Sequence, residues 1–197
     1  DTIDLMGPGG SYPYRGDFEN GTARPAAAGL VSRTTWSSYD VTAPPNHWHV
    51  DTVYLPAGAS GNAAWCGDIG IWPCAVDDPQ GGYGNSWYDI LEFRKTVTNT
   101  AIGTDVHVTA LLHHNSEPGY DYTYLVRRTN DNPNFEPITA PGQGDAWDDA
   151  GDAAVDYTFF YVPGEYLSGQ ICVAFLFDSD GGWSDGDCLY VGDGGST

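Results

Sequence analysis

The chain reads as an all-β protein, an antiparallel β-sandwich of jelly-roll type. Three observations carry that reading. Apolar and polar residues alternate along several short runs, the period of a half-buried strand. Clusters of turn-forming residues separate those runs, in a chain of 197 residues with 26 glycines and 13 prolines. Only five of the 27 acidic residues are glutamate (Glu19, Glu92, Glu117, Glu136, Glu165). The rest are aspartate, which favours turns and disfavours helix interiors.

The runs follow in order. Thr34 to Val41 is β-prone. His47 to Leu55 places Trp48, Val50 and Thr52 on one side. Tyr88 to Val97 is rich in isoleucine, leucine, phenylalanine and valine. Asp105 to Leu112 sets Val106, Val108, Ala110 and Leu112 against Asp105, His107 and Thr109. Tyr120 to Arg128 sets Tyr120, Tyr122, Tyr124 and Val126 against Asp121, Thr123, Leu125 and Arg127. Val155 to Val162 is another strand. Gln170 to Phe177 is apolar on both faces, which marks a central, doubly covered strand. Cys188 to Val191 is a short closing strand. The turns between them fall at Pro56-Ala57-Gly58, Asp77 to Gly84, Ser116 to Gly119, Asn130 to Pro133, Pro141 to Gly144 and Pro163-Gly164. Short strands punctuated this way form sandwiches and jelly rolls.

No linker splits residues 16–197, which read as one jelly-roll domain. Residues 1–15 read as an N-terminal arm. Within it Thr2-Ile3-Asp4-Leu5-Met6 alternates like a strand, and Gly7-Pro8-Gly9-Gly10 breaks it. Ile3 and Leu5 are the side chains with which the arm would add itself as a donor strand to a neighbouring subunit's sheet edge. Repeated head to tail, that contact builds an open filament.

The net charge of −20 argues against nucleic acid and anionic membranes as partners, and Lys95 is the sole lysine. No run of about 18 apolar residues is present, so no membrane insertion is expected. Four cysteines occur: Cys66, Cys74, Cys172 and Cys188. They allow three pairings; the simplest joins sequence neighbours, and an even count in such a chain favours an oxidising, extracellular compartment. Asn20-Gly21-Thr22 is the sole glycosylation acceptor, which fits a secreted surface.

The densest chemical signal is the loop Phe177 to Cys188. Asp178, Asp180, Asp185 and Asp187 crowd a glycine-rich stretch that has no basic residue. Crowded carboxylates need solvent, raised pKa values or a hard cation. Calcium takes six to eight oxygens from such side chains and from loop carbonyls. An EF-hand is excluded, because Gly182 and Trp183 occupy the fifth and sixth positions counted from Asp178. The metallopeptidase motif His-Glu-x-x-His is absent, and the chain reads as non-enzymatic. His47, His49, His113 and His114 offer a zinc site only if strands gather three of them; hydrogen-bonded strand histidines are the plainer reading. Trp72, Trp147 and Trp183 on loops would stack on sugar rings, although core packing is the commoner fate of tryptophan.

Several segments carry a resemblance. Gly16-Asp17-Phe18-Glu19-Asn20-Gly21 followed by Trp36 resembles the opening of MAM-like jelly rolls, including the accessory domains of secreted bacterial proteins of the immune inhibitor A type. Ala64-Trp65-Cys66-Gly67, Gly82-Tyr83-Gly84-Asn85-Ser86-Trp87, Gly119-Tyr120-Asp121-Tyr122 and Tyr166 to Ile171 are similar to further segments of that family, in the same order, over about Gly16 to Asp193. The family's closing strand carries two adjacent aspartates; here Leu189-Tyr190-Val191-Gly192-Asp193 stands instead, which leaves Asp187 or Asp193 as the closing carboxylate. The resemblance implies a calcium site between the first strand and the last hairpin. It would be formed by Asp17 and Glu19 together with Asp178, Asp180, Asp185 and Asp187. The function expected is a secreted or cell-surface structural or adhesive module, stabilised by calcium and self-assembling through its arm. The alternative is an accessory domain of a secreted hydrolase that binds surface glycans or proteins.

Overall fold

Alternating β-branched and aromatic residues do form strands, and antiparallel pairing connects them. A computed structural model describes residues 2–7, 10–15, 36–40, 47–51, 55, 59–68, 82–96, 104–128, 134–138, 146–161 and 170–185. The elements are β1 (Thr2–Gly7), β2 (Gly10–Arg15), β3 (Trp36–Asp40), β4 (Trp48–Asp51), β5 (Ala63–Cys66), β6 (Tyr88–Thr96), β7 (Thr104–Ser116), β8 (Tyr122–Arg128), β9 (Glu136–Pro137), β10 (Ala146–Trp147), β11 (Asp149–Tyr161) and β12 (Gln170–Asp178). Among the described residues there is no helix. The expected closing strand, Cys188 to Val191, lies outside them.

The larger sheet runs β10-β8-β12-β6-β3, with β9 also on β8; a second sheet runs β11-β7-β1-β2, and β4 pairs with β5 alone. Every ladder is antiparallel. The doubly apolar run is indeed central: β12 lies between β6 and β8. One of its faces gives Val173 and Phe177 to the main core, with Leu91, Phe93 and Leu125 from its neighbours. The same core takes Val108 from β7 and Val155 and Tyr157 from β11, so the two main sheets meet across it. The other face of β12 gives Ala174 and Leu176 to a second cluster with Ile90 and Val126, against which Phe135 packs.

Outward residues of β7 and β11 behave differently. Leu111 is exposed, and His107 pairs with Asp156 and His113 with Asp152 across the two strands. Residues 2–15, read from sequence as an arm, form a hairpin that joins the chain's own sheet: Thr2 to Leu5 pair with Thr109 to Val106. β2 is an edge strand and contains Pro13, a residue that sheets tolerate at their edges because it lacks an N–H.

Among the described residues three carboxylates are fully buried: Asp89, Glu92 and Asp121. Glu92 is held between two arginines, with Arg94 Nε at 2.7 Å and Arg128 Nε at 2.9 Å. Asp89 accepts from the His47 N–H at 3.0 Å, and the His47 ring lies 2.7 Å from its other oxygen. The same imidazole stacks on Trp87 with centroids 3.5 Å apart. A buried charge is tolerated when it is paired this way.

The layering predicts a contrast. Phe93→Ala, in the core, is expected to cost about 3–5 kcal/mol of unfolding free energy. Leu111→Ala, on the outward face, is expected to change it by less than about 0.5 kcal/mol. Urea denaturation of both variants measures this, and similar losses would contradict the assignment of the two faces.

Candidate metal centre

Three segments converge at one end of the larger sheet: residues 82–87 leading into β6, the β7–β8 turn at 117–121, and residues 179–185 after β12. Ser179 joins the first to the last. Its N–H donates to the Trp87 carbonyl at 3.0 Å, its hydroxyl donates to the Gly84 carbonyl at 2.7 Å, and it accepts from the Trp87 N–H at 2.9 Å. The Asp180 carbonyl accepts from the Ser86 N–H. Asp121 joins the turn to the last segment, because its Oδ1 accepts from the Asp180 N–H at 2.7 Å. Ser116 fixes the turn by donating to the Asp121 carbonyl at 2.9 Å. Tyr83 reaches both neighbours: its N–H donates to Asp185 Oδ2 at 3.1 Å, and its hydroxyl accepts from the Glu117 N–H at 2.9 Å and is hydrogen-bonded to Asp121.

Close approach constrains two glycines here. A Cβ on Gly82 would fall 2.3 Å from Asp185 Oδ2, so a side chain there would displace that carboxylate. Gly119 sits in the turn at φ +83°, a conformation open to glycine, and its N–H donates to Asp148 Oδ2 at 2.7 Å. Ser86 and Trp183 adopt positive φ without being glycine, at 60° and 63°. Each such residue costs on the order of 1–3 kcal/mol unless its surroundings hold it. Both lie in the converging segments.

The result is a carboxylate cluster. Glu117, Asp121 and Asp180 each bring an oxygen within 4.8 Å of the others. Asp121 is wholly buried, Glu117 half-buried and Asp180 exposed, so the group runs from the interior to the surface. Asp121 Oδ2 and Glu117 Oε2 are shielded from solvent and accept no hydrogen bond, while both side chains keep other partners. Electrostatics follow. Burial, and then the charge of Asp121, raises the pKa of Asp178 above the ordinary carboxylate value. Burial, and then the hydrogen bond to Asp121, pushes the Tyr83 hydroxyl far up. Tyr88 and Tyr124 rise through burial and the nearby Asp178.

Of the six carboxylates expected from sequence, Asp180 belongs to the cluster. Asp178 ends β12 beside Asp121, and Asp185 holds the Tyr83 N–H. Asp17, Glu19 and Asp187 lie outside the described residues, as do Asn20, Cys74, Cys188 and Trp72. Glu117 and Asp121 were not among the expected ligands. Asp121 does lie in the Gly119-Tyr120-Asp121-Tyr122 segment that carries the resemblance. Cys66 is half-buried in β5, and Cys172 is buried in β12, where burial and Glu92 push its thiol up. The histidines do not gather: no group of three metal-binding side chains among the described residues includes one. Trp147 packs edge-on against Tyr157, whereas Trp183 is exposed. Compared with known protein families, curated proteins and solved structures, the chain matches none.

The raised pKa of Asp178 gives a signed pH dependence. Folded Asp178 holds its proton more tightly than unfolded Asp178, so its contribution is full below 3.8 and is lost as pH rises through the raised folded value. With chelator present, Asp178→Asn is therefore expected to melt higher than the parent at pH 7. The gap should close as pH falls towards 3.8. A gap that is constant with pH would contradict the shift.

Proposed function

We propose that this protein is a secreted or cell-surface structural or adhesive β-sandwich module of the MAM-like jelly-roll type. Calcium braces its acidic end, and copies assemble through residues 1–15. The observation that carries the reading is the convergence of Glu117, Asp121 and Asp180 within 4.8 Å, with Asp178 close behind. The three arginines whose side chains are described engage other carboxylates: Arg94 and Arg128 hold Glu92, and Arg127 holds Glu136. A hard divalent cation suits a site of carboxylate oxygens on loops, and calcium accepts irregular geometry more readily than magnesium. An ion bound there would tie the β7–β8 turn to the segment after β12 and stabilise only the folded chain.

At a free calcium concentration about 100 times the dissociation constant, binding adds roughly 2.7 kcal/mol. For a chain of this size that is about 5–10 °C in melting temperature. Calorimetry in calcium and in chelator should show that difference for the parent and lose it for Asp121→Asn and Asp180→Asn. An unchanged parent midpoint would overturn the calcium reading.

Glycan binding is a second reading, favoured by one observation. Tyr120 and Trp183 are exposed large side chains, 62% and 56% accessible, in the same two segments that supply the carboxylates. Aromatic faces stack on sugar rings, and carboxylates accept from sugar hydroxyls. A glycan array should then give binding by the parent that Trp183→Ala loses; binding unaffected by that change would dismiss the site.

A further inference from the structure

We infer that the β1–β2 hairpin is exchanged between copies of this chain, with β7 of the neighbouring copy as the acceptor strand. This rests on the self-assembly part of the proposed function and names the surface that performs it. The hairpin holds its own chain by a short ladder. β1 pairs with β7 over four residues, Thr2 to Leu5 against Thr109 to Val106, whereas β11 pairs with β7 over thirteen. An identical ladder forms when the β1 of a second copy takes the same place, so exchange keeps the backbone hydrogen bonds while joining two subunits. Ile3 falls opposite Val108 and Leu5 opposite Val106, and Val108 is fully buried in the main core.

One competing acceptor is disfavoured. The β2 edge contains Pro13, which supplies no N–H to an added strand. On β7, Asp4 falls opposite His107, which also pairs with Asp156 of β11. Twenty residues, 16–35, separate β2 from β3. Fully extended they reach about 66 Å. The thirteen-residue β7 measures roughly 43 Å, so the connection is long enough to seat the hairpin on an adjoining molecule.

Paired cysteine substitutions in full-length chains test this. One population carries Asp4→Cys and a second carries His107→Cys; they are refolded together, oxidised, and mapped by mass spectrometry. Exchange predicts a covalent heterodimer linked through positions 4 and 107, at least ten times more abundant than that from Asp4→Cys mixed with Thr158→Cys. Thr158 lies in the same row one strand further on, beyond the roughly 7 Å limit for a disulfide from a strand seated on β7. A linkage through position 158 instead would mean addition at the β11 edge and would overturn the proposal. So would no heterodimer at all, when a single chain carrying both Asp4→Cys and His107→Cys closes within itself. Each mixture is run with calcium and with chelator. A hairpin link that forms equally in both, beside an unchanged melting midpoint, would sink the calcium reading and leave exchange standing; the opposite pattern would do the reverse.

Discussion

A single buried carboxylate ties the acidic end together. Asp121 is fully enclosed, yet it accepts from the backbone of Asp180, is hydrogen-bonded to the Tyr83 hydroxyl, and has its own carbonyl held by Ser116. Those contacts join three segments far apart in the chain. Replacing the anion with an apolar side chain would leave the Asp180 N–H and the Tyr83 hydroxyl seeking partners in a shielded place, a loss larger than that of any one contact. Burial first, and Asp121 second, raises the pKa values of Asp178 and Tyr83. The geometry of this end and its electrostatics therefore share one residue.

Charge is distributed unevenly across the fold. The chain has seven basic residues against 27 acidic ones, and the three arginines whose side chains are described are committed to the larger sheet. There Arg94 and Arg128 neutralise Glu92, and Arg128 also lies over the Phe135 ring at 4.7 Å. Arg127 pairs with Glu136 and lies over Phe159 of the other main sheet at 5.4 Å. These guanidiniums act as packing elements as well as counter-charges, because Arg stacks on aromatic faces while bridging a carboxylate.

Strands whose pattern is strong were legible in the sequence. β12 is apolar on both faces and does sit between two neighbours with a cluster on each side. β7 alternates as read, with Val108 inside and Leu111 outside. β2 and β5 were not legible, since Gly10 and Pro13 in one and two alanines in the other give little strand signal. At the site, Asp178 and Asp180 stood out because aspartates crowd that loop. Asp121 did not, because it is 59 residues from Asp180 and alternation assigned it to a strand face shared with Arg127. Local density reveals a ligand only when its partners are neighbours in sequence; here the turn between β7 and β8 brings the distant one in.

The long β7–β11 ladder has a mechanical consequence. Thirteen consecutive residue pairs run along it without interruption. Force directed along the strands would load all of those bonds in shear, so they must rupture together. Force directed across them at one end would open the same bonds one after another, like a zipper. The resistance of this sheet to pulling is thus a matter of direction, high along its strands and low across them.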